Sequence, residues 1–227
     1  MAFQSPNHGE RAVKADMVLI HYTGMQSAQD ALERLCDPTA GVSAHYLVDE
    51  QGVVYQLVDP VRRAWHAGVS SWEGESDVNS RAVGIELVNP GHEFGYQAFP
   101  KAQIEALIVL LGKIVNTCRI PKYAMWGHSD VAPARKEDPG EKFPWAFLAQ
   151  HGYGIWPSQF SVAKGTQDAA ALLYQIGYDV HDLPAAQKAF KRHFRPEHVC
   201  EGWTQADAVS AAGVLAALER VRLGRRA

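Results

Sequence analysis

The segment Met17-Val-Leu-Ile-His21 is a short apolar run closed by a polar side chain, the pattern of a buried strand. Residues Ala28 to Leu35 carry helical spacing, with Ser27 placed to cap the N-terminus. Ala44-His-Tyr-Leu-Val48 and Val53-Val-Tyr-Gln-Leu-Val58 flank Asp49-Glu-Gln-Gly52, which predicts a hairpin. Residues Ala82 to Val88 form a further apolar run, interrupted by Glu86. A helix over about Lys101 to Cys118 follows, with Ile104, Leu107, Ile108, Leu111, Ile114 and Val115 on one face. Tyr123 to Trp126 reads as a last short strand, and Ser129 to Pro144 as a loop rich in Pro and charge. From about Gln167 the chain turns Ala- and Leu-rich. The turn signals Gly177-Tyr-Asp and Gly202-Trp divide it into about three helical segments.

Strands and helices alternate without a strict βαβ rhythm. This predicts an α/β fold with a mixed central β-sheet, helices packed on it, and a small C-terminal helical domain. The composition changes near Trp156-Pro157-Ser158, so the boundary is expected at 157–165, with residues 1–158 forming the first domain and 159–227 a helical one. From residue 159 onward there are nine Lys/Arg against seven Asp/Glu; before it, thirteen against eighteen. The first part is therefore acidic and the tail slightly basic.

The chain has 227 residues, 47% hydrophobic and 21% charged, which excludes a disordered or fibrous protein. Its longest apolar runs fall far short of the roughly 20 residues a membrane-spanning helix needs. The net charge of −3 argues against nucleic acid as the main partner. Cys36, Cys118 and Cys200 are odd in number and widely spaced, so they form neither a disulfide framework nor a Cys-based zinc knuckle. The N-terminal segment shows no signal-peptide core, which predicts a cytoplasmic protein, or a periplasmic one if an export signal has been trimmed.

Candidate chemistry sits at the ends of these elements. His21 closes an apolar strand and feeds Tyr22-Thr23-Gly24, a common place for functional side chains. Taken alone, it is more readily a structural histidine. The loop from Gly127 to Gly140 gathers His128, Lys136 and several carboxylates, among them Asp138. Catalytic zinc takes three ligands from His and Asp/Glu and keeps a fourth position for water. His21, His128 and Asp138 would supply such a set, although their spacing is no general zinc signature. Glu86 is costly to bury within Val83-Gly-Ile-Glu-Leu-Val88 unless it is paired or functional. It is either a base aimed into a cleft or an outward-facing charge. Trp65 and Trp72 offer aromatic platforms or core packing, and His45 is open between packing, substrate contact and metal support.

Ile20-His-Tyr-Thr-Gly24, Ser43-Ala-His-Tyr-Leu-Val48, Ala64-Trp-His-Ala-Gly68, Gly84-Ile-Glu-Leu-Val-Asn89 and the whole of Gly127 to Gly140 occur together and in order. Over residues 15–158 the chain thereby resembles the type 2 N-acetylmuramoyl-L-alanine amidases, the AmpD/AmiD-like zinc enzymes related to peptidoglycan recognition proteins. The tail, including Ala189-Phe-Lys-Arg-His-Phe-Arg-Pro196, resembles a helical peptidoglycan-binding-like domain.

The resemblance implies zinc on His21, His128 and Asp138, Glu86 as the acid/base, and Lys136 as the cation near the reacting carbonyl. It implies substrate contacts from His45, Tyr46, Trp65, His66, Ala67 and Trp72. The expected partners are muropeptides or peptidoglycan fragments, acted on by a monomer. A peptidoglycan-binding module without activity would not need the intact zinc set. A zinc peptidase of other specificity would act on peptides lacking the sugar. For the tail, two readings stand: it binds glycan or stem peptide through the basic, aromatic segment Phe190 to Arg195, or it buttresses the first domain with a solvated helix face.

Overall fold

The computed structural model describes residues 3–157 and 168–224. The expected boundary at 157–165 lies almost wholly outside the described residues.

Five strands form the main sheet: β2 (Met17–Tyr22), β3 (Tyr46–Val48), β4 (Val54–Gln56), β6 (Ala82–Leu87) and β7 (Met125–Gly127). Their order is β4-β3-β6-β2-β7, parallel except for the β3–β4 hairpin. β1 (His8–Glu10) pairs antiparallel with β5 (Arg62–Ala64) in a separate ribbon. The mixed sheet is the one the sequence predicts. Its central strands β2 and β6 are apolar on both faces because both are covered by helices.

Side chains alternate across the pleat, so in-register partners on parallel strands share a face. His21 pairs with Glu86, Glu86 with Leu47, and Leu19 with Gly84 and Trp126. These residues therefore look to one side of the sheet. On that side α1 (Ala28–Cys36) packs Ala31, Leu32 and Leu35 around Leu47. Its predicted cap is present: Asp30 N donates to Ser27 Oγ at 3.1 Å.

The long helix α4 (Lys101–Cys118) covers the opposite face, against Tyr46, and matches its predicted bounds. Leu110 and Gln103 join its buried stripe, and Gln103 Nε2 donates to the carbonyls of Val48 and Val88. Short helices α2 (Val78–Arg81) and α3 (Gly91–Phe94) bracket β6, and α6 (Trp145–Gln150) follows the segment from Gly127 to Gly140. The predicted loop from Ser129 does not begin as a loop. Its start is a helical turn, α5 (His128–Val131), because Asp130 Oδ2 accepts the backbone N–H of Gly127 at 2.7 Å.

The C-terminal segments are α7 (Ala169–Ile176), α8 (Leu183–Phe194) and α9 (Gln205–Leu223). Their apolar residues Leu173, Tyr178, Phe190 and Val214 belong to one continuous core with Trp72 and Trp126. The segment Phe190 to Arg195 fits neither a solvated face nor a free peptide-holding surface. Phe190, Lys191, Arg192, His193 and Phe194 are all buried. Lys191 Nζ donates to the carbonyls of Glu201 and Gly202, and Arg195 pairs with Asp207. Its cations are spent inside the fold.

Candidate active site

The site grows from the parallel pairing of β2 with β6 and β7. Register sets His21 beside Glu86, while β7 ends one residue before His128. The loop after α5 then returns Asp138 to both histidines. His21 Nδ1 lies 2.9 Å from His128 Nδ1, and Asp138 Oδ2 lies 3.0 Å from each. All three residues are buried.

The outer partners fix which ring atoms carry protons. His128 Nε2 is 3.0 Å from the carbonyl oxygen of Ala67, so it bears the hydrogen, and Nδ1 turns its lone pair inward. His21 Nε2 lies 3.1 Å from His66 Nδ1, and donating there likewise frees His21 Nδ1. Burial, reinforced by His128, lowers His21 to about 4, so its imidazole is neutral. Burial pushes Asp138 upward, but His128 and His21 outweigh it and hold the carboxyl far below its usual range. Two imidazole nitrogens and a carboxylate oxygen thus converge within about 3 Å of one another, a set that fits a cation. Such a donor set suits zinc, and His21, His128 and Asp138 would hold it.

Glu86 is half-buried beside this triangle. Its Oε2 is closed off without a hydrogen-bond partner. Burial pushes its carboxyl well above the usual value, the charge of Asp138 adds to this, and Lys136 opposes it. Lys136 lines the same cleft, as the alternation from Lys136 to Asp138 leads one to expect. The cleft measures about 450 Å³ and is open on one side.

Trp65 and His66 line the cleft, and His66 lies directly over Gly84, where a Cβ would stand 2.5 Å from its ring. The other expected contacts lie elsewhere. Trp72 is a core residue, 1% exposed, packed 4.3 Å from Trp126 and 5.2 Å from Tyr178 between ring centroids. Its distant partners take it from the cleft. His45 is fully buried; it accepts the N–H of Gly84 and contacts Arg11, which places it behind His66. Tyr46 points to the α4 face, because alternation separates it from Leu47. Ala67 is buried; its carbonyl meets His128 and Arg135, and its N–H donates to Asn79 Oδ1.

Sequence reasoning missed Arg34, His92 and Arg135, which also line the cleft. Arg34 lies within the helix predicted over Ala28 to Leu35, off its buried stripe. His92 and Arg135 carry no local signal: the first is held by Tyr22 and Glu141, the second by the carbonyls of Ala67 and Val69.

The cleft therefore opens at the C-terminal ends of the neighbouring strands β6, β2 and β7. Residues 11–141 match the N-acetylmuramoyl-L-alanine amidase family. Escherichia coli AmiD, an N-acetylmuramoyl-L-alanine amidase, is 37% identical over 79% of this chain and 75% of its own. Haemophilus influenzae AmpD, a 1,6-anhydro-N-acetylmuramyl-L-alanine amidase, is 34% identical over 63% and 86%. Among solved structures, E. coli AmiD in complex with anhydro-N-acetylmuramic acid-L-Ala-D-γ-Glu-L-Lys superposes with a TM-score of 0.80 at 33% identity, covering 90% of this chain and 91% of that one. Pseudomonas aeruginosa AmpDh3 in complex with anhydromuramic pentapeptide gives 0.76 at 30% identity, with 92% of each covered. The chain belongs to the N-acetylmuramoyl-L-alanine amidase family, and it is an enzyme of that class.

Proposed function

We propose that this chain is a zinc-dependent hydrolase cutting the amide between N-acetylmuramic acid, including its 1,6-anhydro form, and L-Ala of the stem peptide. It would serve cell-wall turnover or recycling as a monomer. Residues 1–158 carry the chemistry, and residues 159–227 form the peptidoglycan-binding-like helical part. The observation that carries the reading is the triangle of His21 Nδ1, His128 Nδ1 and Asp138 Oδ2 beside a sealed Glu86. The anhydro-muropeptides held by AmiD and AmpDh3 support the substrate class. Among the described residues no helix is long and apolar enough to cross a membrane.

When bound, zinc lowers the pKa of a coordinated water to about 7 and polarises the scissile carbonyl. Glu86 takes the proton of the attacking water on its carboxylate and delivers it to the amine nitrogen as the C–N bond breaks. A carboxyl pushed upward suits both halves of that exchange. The Lys136 ammonium stabilises the oxyanion. Trp65 offers an aromatic face to the sugar or peptide, and His66 holds the ring of His21.

The test is mass spectrometry of products from an anhydro-muropeptide, with and without chelator. Free stem peptide, lost with chelator and restored by zinc, is expected. No cleavage of this substrate or of reducing-end muropeptides by zinc-loaded protein would make it a binding module. Equal cleavage of peptides lacking the sugar would make it a peptidase of other specificity.

A further inference from the structure

The loop that carries Lys136 and Asp138 is held at both ends by helix α8 and the turn before it. At its start, Asp130 is fully buried, and its oxygens accept from Gly127 N, Tyr178 Oη and His193 Nδ1 at 2.7, 2.6 and 2.7 Å. Two of these three donors come from the C-terminal segment. His193 is itself clamped, stacked 3.8 Å from Trp145 at an interplanar angle of 16°.

At the other end, Arg192 Nη2 donates to Glu137 Oε1 at 2.7 Å. Glu137 stands between Lys136 and Asp138 in the chain. The Arg192 side chain is 4% exposed and that of Glu137 46%. A buried cation thus reaches out to a half-exposed acid. Glu141 is also near, but Arg192 Nε stays 3.8 Å from it and makes no hydrogen bond. The short bond is therefore spent on the residue between the oxyanion cation and the third donor of the triangle. The two grips act on one rigid unit, because Ser129 N donates to Asp138 O at 2.9 Å across the loop's ends.

We propose that α8 positions the catalytic loop, with Arg192 as a positioning residue that acts through Glu137 on Asp138 and Lys136. Neither residue needs to touch substrate. The inference rests on the roles given to Asp138 and Lys136 above. It assigns the C-terminal helices a part in the reaction that binding of glycan or peptide does not require.

The test compares Arg192→Met, Arg192→Lys, Glu137→Gln and the double variant Arg192→Met/Glu137→Gln in the full chain. Zinc affinity is read by competition with a chelating dye, kcat and KM on an anhydro-muropeptide, and Tm by calorimetry. Outer partners of metal ligands are worth about 10- to 100-fold in affinity or activity, and a partner one residue removed falls at the low end. Arg192→Met and Glu137→Gln should each weaken zinc about tenfold and lower kcat, with KM changed less than about twofold. The double variant should be no worse than the poorer single one, because both break the same link. Arg192→Lys should recover most of the zinc affinity.

Zinc affinity and kcat staying within about twofold of wild type, whatever Tm does, would overturn the proposal, as would losses that multiply in the double variant. Should Arg192→Met fail to fold, Glu137→Gln decides, since Glu137 is half-exposed. A wild-type protein that binds zinc but releases no stem peptide would sink the functional reading, and the affinity comparison would still decide this one.

Discussion

Replacing Glu86 by Gln keeps the shape of the side chain and removes its charge. Glu86 Oε2 is sealed from solvent and has no hydrogen-bond partner. Leaving such a group unpaired costs about 1–3 kcal/mol, and more when it is charged. Gln still buries an unpaired amide atom, so the relief lies at the low end, about 1 kcal/mol. For a chain of this size that raises Tm by about 2–4 °C. The pH dependence follows from the direction of the shift. The Glu86 carboxyl is pushed upward in the fold, first by burial and then by Asp138. Below the unfolded carboxyl value both states hold the proton and no penalty exists. As pH rises past that value the unfolded chain releases its proton while the fold retains it, and stability is lost until the folded value is passed. Calorimetry of metal-free wild type and Glu86→Gln should therefore show coincident Tm values near pH 4 and a gap opening toward neutrality. Turnover of the zinc-loaded variant should fall by about 10²- to 10⁴-fold. A gap of constant size, or a Gln variant less stable at neutral pH, would refute the strain argument. Near-normal turnover would remove Glu86 from the proton transfers.

Lys136→Met should cost about 10²–10³ in kcat while zinc stays bound, measured by turnover alongside metal content. Gly84→Ala would press a Cβ against the His66 ring, which should cost about 1–3 kcal/mol in denaturant unfolding and weaken zinc as His66 leaves His21. Trp72→Ala should cost about 3–5 kcal/mol of stability by the same assay, since the ring packs on Trp126 and Tyr178.

The helix Lys101–Cys118, the capped helix after Ser27 and the hairpin around Asp49–Gly52 were legible because each is written in local periodicity. His21 and Glu86 were legible as chemically odd residues at strand positions. Their pairing with His128 and Asp138 was not, since it depends on strand order, and the family resemblance supplied it. The misplaced residues share one cause. Alternation says that Tyr46 and Leu47 face opposite ways, but not which face holds the cleft. Whether Trp65 or Trp72 is buried depends on partners such as Tyr178, far along the chain. The basic segment at Lys191–Arg195 looked free for the same reason: Asp130, Glu137 and Asp207, which absorb its charges, are invisible to local pattern.

The in-register pairing of His21 with Glu86 also bears on how this chain can vary. Both side chains owe their direction to a repeat of two residues, so adding or deleting one residue within either strand would swing its functional group to the far side of the sheet, toward α4. Such a change costs a whole catalytic function even where the strand still forms. A length change in the Asp49–Gly52 turn moves neither group. Length variation should therefore be tolerated between the strands and purged within them, and scanning single-codon insertions through residues 17–22 and 82–87 would map the site without altering any of its side chains.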